Sequence, residues 1–318
     1  MMKNDVKMKP RVKRFLEKLA KPKSALFYAV TRWGRFLPDR EYLSLLYLLR
    51  FNRKLNFNAP QTFTEKLNWL KLNDKNPKYT LLVDKYAVKE YVKDIIGDQY
   101  VVPCYGTWNN LDEIDFSQLP QKFVLKVNHD SSGAYICTDK SNIHVKELKS
   151  RFDKLLRRNW FWHLREWPYR NISPKILAEM YLSDGFSEEL RDYKFLCFHG
   201  IPKYMYCTNK GSTIYENFYD MEFLPIDISR GFEKINTNIV KPSKFDEMKR
   251  LATKLSSGIP FVRIDFFEVG GQVYFSEFTF YDWGGFRPFT NDRVDFEWGD
   301  YINLDIVRKR QQENKAVR

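Results

Sequence analysis

Three ionisable residues late in the chain have the types and spacing to do chemistry. Arg263 and Asp265 lie in PFVRIDFFEVGG, and Glu277 lies in QVYFSEFTFYDWGG with Thr279 two positions on. The run 260–285 reads as two strands around a Gly270-Gly271 turn. Side chains alternate along a strand, so Arg263 and Asp265 share a face, as do Glu277 and Thr279. A three-residue loop, Gly270-Gly271-Gln272, would pair Val269 with Val273. It would set Asp265 opposite Glu277 and Arg263 opposite Thr279, with Val262, Ile264, Phe266, Phe278 and Phe280 on the other face. A two-residue loop would set Asp265 opposite Ser276 and split the polar set. The hydrophobic pattern favours the first register and an odd-numbered loop. Neighbouring carboxylates repel unless a cation sits between them. A few carboxylate oxygens are what Mg2+ takes when phosphates supply the rest. A salt-bridged hairpin with a structural role fits the same residues equally well.

Upstream, the short apolar strand 123–127 (FVLKV) carries Lys126 and runs into Asn128, His129, Asp130, Ser131, Ser132 and Gly133, followed by the strand AYICT. Small loop residues let backbone N–H groups converge on phosphate oxygens, with the lysine as a point charge. A hairpin with a polar tip is the alternative, and neither GxxxxGK[ST] nor GxGxxG occurs. Lys85 sits early in the helical run LLVDKYAVKEYVKDIIG, which Gly97 stops. YVVPC (100–104) reads as a strand, and so does ILAEMYL (176–182). DYKFLCFHGIPKYMYCT (192–208) reads as a hairpin around His199-Gly200. Residues 215–245 read as irregular, and DEMKRLATKLSSG as an amphipathic helix. Thr62-x-x-Glu65 is a capping box in the mostly helical stretch from Arg40 to Ile96. FDKLLRRNWFWHLREWPYR reads as a basic, aromatic helix and its exit. It could stack bases or sugars, but more often such a helix turns its Trp and Phe inward.

The 318 residues can bury a large core in two lobes. No apolar run has the length of a membrane span and no signal-peptide pattern occurs, so the expected location is the cytoplasm. Four scattered cysteines and four scattered histidines show no zinc spacing. The net charge of +13 is uneven: residues 1–40 carry +9 and the remainder +4. The excess is therefore a leader and not a stripe for nucleic acid, and anionic lipid attracts such a leader. Val12, Phe15, Leu16 and Leu19 recur at helical spacing, as do Leu26, Phe27, Val30, Trp33 and Leu37. Both could lie on a membrane surface. The second is expected to pack on the body of the protein.

Four pieces now stand in order: a DK helix start, FVLK with its small-residue loop, ILAEMYL followed by DYKF, and RIDFF with SEFT. Their order resembles the ATP-grasp superfamily. The wording FNAPQTFTEKLNWLKL, LPQKFVLKVNHDSSG, REWPY, DYKFLCFHG and YFSEFTF is similar to the TupA-like ATP-grasp family of bacterial capsule and cell-wall polysaccharide gene clusters. The resemblance covers roughly residues 40–305. It implies an α+β ATP-grasp fold, two lobes gripping ATP, with a helical N-terminal region. The implied boundaries are a basic leader 1–40, a helical region 41–105, and a lobe 106–190 with the phosphate loop and hinge strand. A catalytic lobe 191–305 with the metal hairpin and a polar tail 306–318 follow.

The resemblance also implies roles. Lys85 and Lys126 would grip the nucleotide phosphates under a lid formed by His129, Ser131, Ser132 and Gly133. Glu179, Met180, Tyr181 and Leu182 would meet adenine. Asp192 would bind the ribose hydroxyls, with Lys194 beside it. Asp265 and Glu277 would hold Mg2+, and Arg263 would steady the oxyanion of a tetrahedral intermediate. The chain departs from the commonest pattern at Thr279, where a Glu-x-Asn motif would place asparagine. The implied activity is an ATP- and Mg2+-dependent ligase joining an amine to a uronic-acid or related carboxylate. The acceptor would be a saccharide or glycan precursor, at the inner face of the membrane if the leader binds there. A glycosyltransferase of the same pathways is an alternative, although no DxD motif occurs. Phosphate transfer to a sugar on the same site is another.

Overall fold

A computed structural model of the chain describes residues 22–130, 133–183, 190–208, 215–233 and 239–316. The first third is helical: Pro22–Trp33 (α1), Asp39–Phe51 (α2), Phe63–Asn73 (α3), Lys78–Val83 (α4) and Val88–Ile96 (α5). α2 buries Tyr42, Leu43, Leu46 and Tyr47, one stripe at helical spacing, and ends on Asn52 in the left-handed region. α3 starts on the capping box, with Thr62 accepting from the Glu65 amide and Glu65 accepting from the Thr62 amide. The helix expected across 81–96 is broken. Asp84 accepts from the amides of Tyr86 and Ala87 and from the side chain of Asn128, so Lys85 sits in the gap between α4 and α5. α1 divides its apolar residues: Phe27, Val30 and nearby Leu37 pack on the core, whereas Leu26 and Trp33 stay exposed.

Two antiparallel sheets follow. The small sheet contains Cys104–Trp108 (β1), Phe123–Val127 (β2), Tyr135–Cys137 (β3) and Ile176–Met180 (β4), in the order β1-β4-β2-β3. Val145–Leu156 (α6) covers it with Leu148, Phe152 and Leu155, packed against Phe123, Leu125, Ile176 and Ala178. The strand expected at 100–104 lies further on, at β1. Pro103 lacks an N–H for a ladder and gives only its carbonyl, to the Met180 amide. Val101 instead makes a single parallel bridge to Phe275 of the large sheet.

The basic aromatic segment is not one helix. The helix α6 ends at Leu156, and a short helix Phe161–Leu164 (α7) and a 3-10 turn Trp167–Tyr169 follow within the segment. Arg165 in it is buried over the Tyr42 ring and paired with Asp39. That position is structural and offers no stacking surface.

The large sheet contains Asp192–Phe198 (β5), Ile201–Thr208 (β6), Glu216–Tyr219 (β7), Pro225–Ile226 (β8), Phe261–Val269 (β9) and Gln272–Thr279 (β10). Its order is β10-β9-β5-β6-β7-β8. β7 and β8 fall in the stretch read as irregular. All of β5 is buried, so both faces of the sheet are covered. Phe245–Leu255 (α8) packs on β5, β6 and β9, as its amphipathic pattern requires. Asp292–Asp300 (α9) presents Trp298, fully buried among Phe63, Phe198, Phe289 and Tyr204. The polar tail forms a helix, Asp305–Ala316 (α10). Among the described residues no helix is long and apolar enough to cross a membrane.

α9 docks tightly on the start of α3. Asp295 accepts from the Thr64 amide and hydroxyl, and a Cβ added at Gly299 would lie 2.1 Å from the Gln61 carbonyl oxygen. Backbone cannot yield there. Gly299→Ala is therefore expected to destabilise the protein by about 1–3 kcal/mol, seen as a lower urea midpoint with an unchanged slope.

Candidate active site

The hairpin that carries the ionisable triad is built differently at its turn from the sequence expectation. Gln272 pairs with Val269, so the loop is the two residues Gly270 and Gly271, both at positive φ as a tight hairpin turn requires. That register alone would set Asp265 opposite Ser276. A bulge between Phe275 and Glu277 shifts the ladder by one, and Glu277 faces Asp265 while Thr279 faces Arg263. The facing is as expected; the odd loop is not. The bulge also keeps Val273, Phe275 and Phe278 buried despite two successive half-buried residues, Ser276 and Glu277.

Between the two sheets lies a cavity of about 460 Å³. Lys85, Lys126, Asp192, Lys194 and Glu277 line it with charge, and Val101, Val102, Val124, Ile136 and Phe275 give it an apolar wall. The segment Glu179, Met180, Tyr181, Leu182 and Ser183 forms another side, and Gly133 borders it. A flat apolar ring and a polyanion fit such a cleft together.

Each lysine is already paired. Lys126 of β2 bonds Glu179 of β4, and Lys89 reaches the same carboxylate at 2.7 Å while donating to the Val102 carbonyl. Burial pushes the Glu179 pKa up, but the two lysines outweigh it and the net shift is downward. Lys194 lies 3.0 Å from Asp192 and 2.7 Å from Asp265; against the effect of burial, these acids hold its pKa up. Lys85 donates to the Asp130 carbonyl at 2.7 Å and lies 4.0 Å from Glu277. Burial depresses its pKa, opposed by Glu277.

Behind the cavity wall Arg263 is saturated. Its Nε and Nη2 each lie 2.7 Å from an oxygen of Asp265, and Nη2 also reaches Glu277 at 3.1 Å. Its Nη1 donates to Asp282 at 2.7 Å and to the Tyr206 hydroxyl at 3.1 Å. Asp282 is shared with Arg230, which Glu216 holds on its other side. Burial raises the Asp282 pKa, but Arg230 and Arg263 together bring it down to about 2. Lys71 of α3 donates to the Gly284 carbonyl at 2.6 Å and so fixes the loop that carries Asp282.

On the large-sheet side three buried cations, Lys194, Arg230 and Arg263, face five carboxylates: Asp192, Glu216, Asp265, Glu277 and Asp282. Four of these acids are buried and Glu277 is half-buried; with Lys85 4.0 Å from Glu277 counted, one carboxylate is left over for a further cation. Glu277 lines the cavity and is the carboxylate best placed for it. Asp265 has no exposed surface, and Arg263 and Lys194 hold both its oxygens. Thr279 turns its hydroxyl to Glu277 at 3.4 Å and does not line the cavity. Among the described residues no three His, Cys, Asp or Glu side chains are grouped as a metal cage.

His129 differs from the expectation. Its ring is buried between Asn128 and the Leu155 carbonyl, away from the cavity lining. Ser131 and Ser132 lie outside the described residues. Sequence reasoning missed Lys89, Tyr206, Glu216, Arg230 and Asp282. Only Asp282 had a signal: an acid three residues past Thr279 and before two glycines.

The model of one protein family, described as TupA-like ATP-grasp, matches residues 65–303. The chain belongs to that family. Membership establishes the ATP-grasp fold that the two α+β lobes display, and the general type of an ATP-dependent ligase. Solved ATP-grasp structures resemble it distantly. D-alanine–D-alanine ligase from Bacillus anthracis is 15% identical, with a TM-score of 0.43 over 73% of this chain and 69% of that one. The Helicobacter pylori enzyme is 15% identical, with a TM-score of 0.39 over 83% and 69%. The ATP-grasp ligase PsnB, complexed with a minimal precursor, is 11% identical, with a TM-score of 0.37 over 68% and 60%. Likenesses of this strength do not reach a substrate. No curated protein matches the sequence.

Within this ATP-grasp protein, Asp282→Asn would leave two buried arginines short of charge and is expected to cost about 3–5 kcal/mol at pH 7. Because the folded pKa of Asp282 lies at about 2, below the ordinary carboxyl value of 3.8, its contribution is complete above pH 3.8 and lost as pH falls to 2. Urea unfolding of both proteins across that range should show the gap closing by about 2 kcal/mol.

Proposed function

We propose that the protein is an ATP- and Mg2+-dependent carboxylate–amine ligase that works through an acyl phosphate. The observation that carries this reading is the charge layout of the cleft: lysines from both sheets on its wall, Glu277 facing them, and Arg263 behind. A carboxylate resists attack by an amine because its leaving group would be oxide. Phosphorylation removes that obstacle, and the protein's share of the work is placement and charge neutralisation. Lys85 and Lys126 grip the phosphates, with the backbone at Gly133 beside them. The segment Glu179–Leu182 meets adenine, and Asp192 takes the ribose hydroxyls. Lys194 has two acids as partners now. Phosphate oxygens would compete for it and so leave Asp265 Oδ2 with one cation fewer, while Arg263 keeps its hold on both oxygens.

Magnesium, when bound, neutralises charge on the transferring phosphate; Glu277 would hold it, with Asp265 behind it giving up an oxygen only if Arg263 also shifts, and Thr279 as a neutral neighbour. Arg263 orients Glu277 and Asp265; steadying the oxyanion, the role the family resemblance implies, would require it to give up one of these bonds. No side-chain nucleophile is required. The acceptor class, a uronic-acid or related carboxylate of capsule or cell-wall polysaccharide, rests on the family resemblance. A cytoplasmic place against the inner membrane face rests on the +9 of residues 1–40 and on exposed Leu26, Trp33 and Phe36.

ADP release should require a carboxylate and an amine together; turnover with a sugar alcohol alone would make the protein a phosphotransferase instead. Calorimetric binding of a UDP-sugar without binding of ATP·Mg2+ would favour the glycosyltransferase. Asp265→Asn and Glu277→Gln should each lower ATP turnover by roughly 10²–10³ while leaving the circular dichroism spectrum unchanged.

A further inference from the structure

Lys89 lines the cleft together with Lys126, yet the grip on phosphate described above gives it no part. It projects from α5 and is held at two points. Its Nζ donates to the Val102 carbonyl at 2.7 Å and lies 2.7 Å from Glu179 Oε1. Lys126 takes the other oxygen of the same carboxylate, Oε2, and makes no second polar contact among the described residues. Its side chain is also the more exposed of the two, at 24% against 13% for Lys89. Of the two lysines on Glu179, Lys126 is the one able to leave.

The charge count gives this asymmetry a use. Glu179 is buried in β4, between β1 and β2. A buried carboxylate stripped of every cation is costly, and that cost would detain a sole lysine partner against any incoming anion. With Lys89 in place the cluster is two cations on one anion and carries a surplus positive charge. Lys126 can turn to a phosphate while Glu179 keeps an ion pair. Without Lys89 the cluster is a neutral pair, and a phosphate could take Lys126 only by orphaning the acid. The bond to Val102 keeps Lys89 where this exchange needs it. Pro103, the next residue, accepts from the Met180 amide, so Lys89 is moored to backbone that is itself bonded to the strand of Glu179.

We propose that Lys89 is a positioning residue for the nucleotide: it holds the Glu179 carboxylate so that Lys126 can turn onto phosphate oxygens. This rests on the assignment of Lys126 to the phosphates, and it applies to a ligase and to a phosphotransferase alike. Glu179 is then a competitor of the nucleotide for Lys126, and Lys89 is what weakens that competition.

Calorimetry on the full chain with AMP-PNP·Mg2+ and with adenosine tests it. Lys89→Met should weaken AMP-PNP·Mg2+ roughly tenfold or more, while adenosine affinity changes less than about threefold. Adding Glu179→Gln should bring AMP-PNP·Mg2+ back to within about threefold of the wild type, because a neutral amide no longer detains Lys126. Equal weakening of both ligands by Lys89→Met, or a double variant no better than the single one, makes Lys89 a structural residue and overturns the proposal. If Lys89→Met fails to fold, Glu179→Gln alone decides. It should bind AMP-PNP·Mg2+ at least as tightly as the wild type, and weaker binding overturns the proposal. Lys126→Met should weaken AMP-PNP·Mg2+ and not adenosine. No effect there would sink the phosphate assignment and the role of Lys89 with it. The expected effect there, beside a failed Lys89 cycle, would sink the role of Lys89 alone.

Discussion

Desolvating the guanidinium of Arg263 is the constraint around which the large sheet is arranged. A cation in that position costs several kcal/mol unless acids surround it. Asp265 comes from its own strand, Glu277 from the neighbouring strand, and Asp282 from the loop that follows. Two of these acceptors demand a further arrangement. Glu277 needs the bulge, and Asp282 needs Arg230 to share its charge and Lys71 to fix its loop. Tyr206 is drawn in from β6, one strand beyond β5. Arg263 is thus the keystone of a buried network that sets the positions of Asp265 and Glu277 before any substrate arrives.

The cleft in front of that network is held in a charge-balanced state by its own residues. Glu179 occupies Lys126 and Lys89, and Asp192 with Asp265 occupies Lys194. Phosphates entering such a site exchange one anionic partner for another and meet no bare lysines. The exchange moderates affinity and links nucleotide binding to the release of protein carboxylates.

Much of this was legible because it is local. The polar alternation in VRIDF and SEFT, the capping box at Thr62 and the glycine stops all depend on residues within a few positions of one another. The facing of Asp265 and Glu277 could be deduced from the apolar set that must share the other face. The bulge could not, because a longer loop satisfies the same pattern. Arg230 and Glu216 were illegible for another reason. They reach Arg263 only through Asp282, from β7 and the loop after β8, and each alone is an ordinary charged residue. His129 misled because a polar loop tip suggests ligand contact, while the position is packed against α6. The tail read as plain polar sequence because its polar residues hide a helix that Asp74 and Asn73 tether through Arg310 and Gln311.

The single parallel bridge from Val101 to Phe275 joins the chain just before the small sheet to β10 of the large one. Phe275 directly precedes the bulge at Ser276 that orients Glu277. Any change in the angle between the sheets is therefore delivered to the backbone at the one irregular point of the hairpin. Were the sheets to close on a nucleotide, the strand at this bulge would carry that movement to the Glu277 carboxylate.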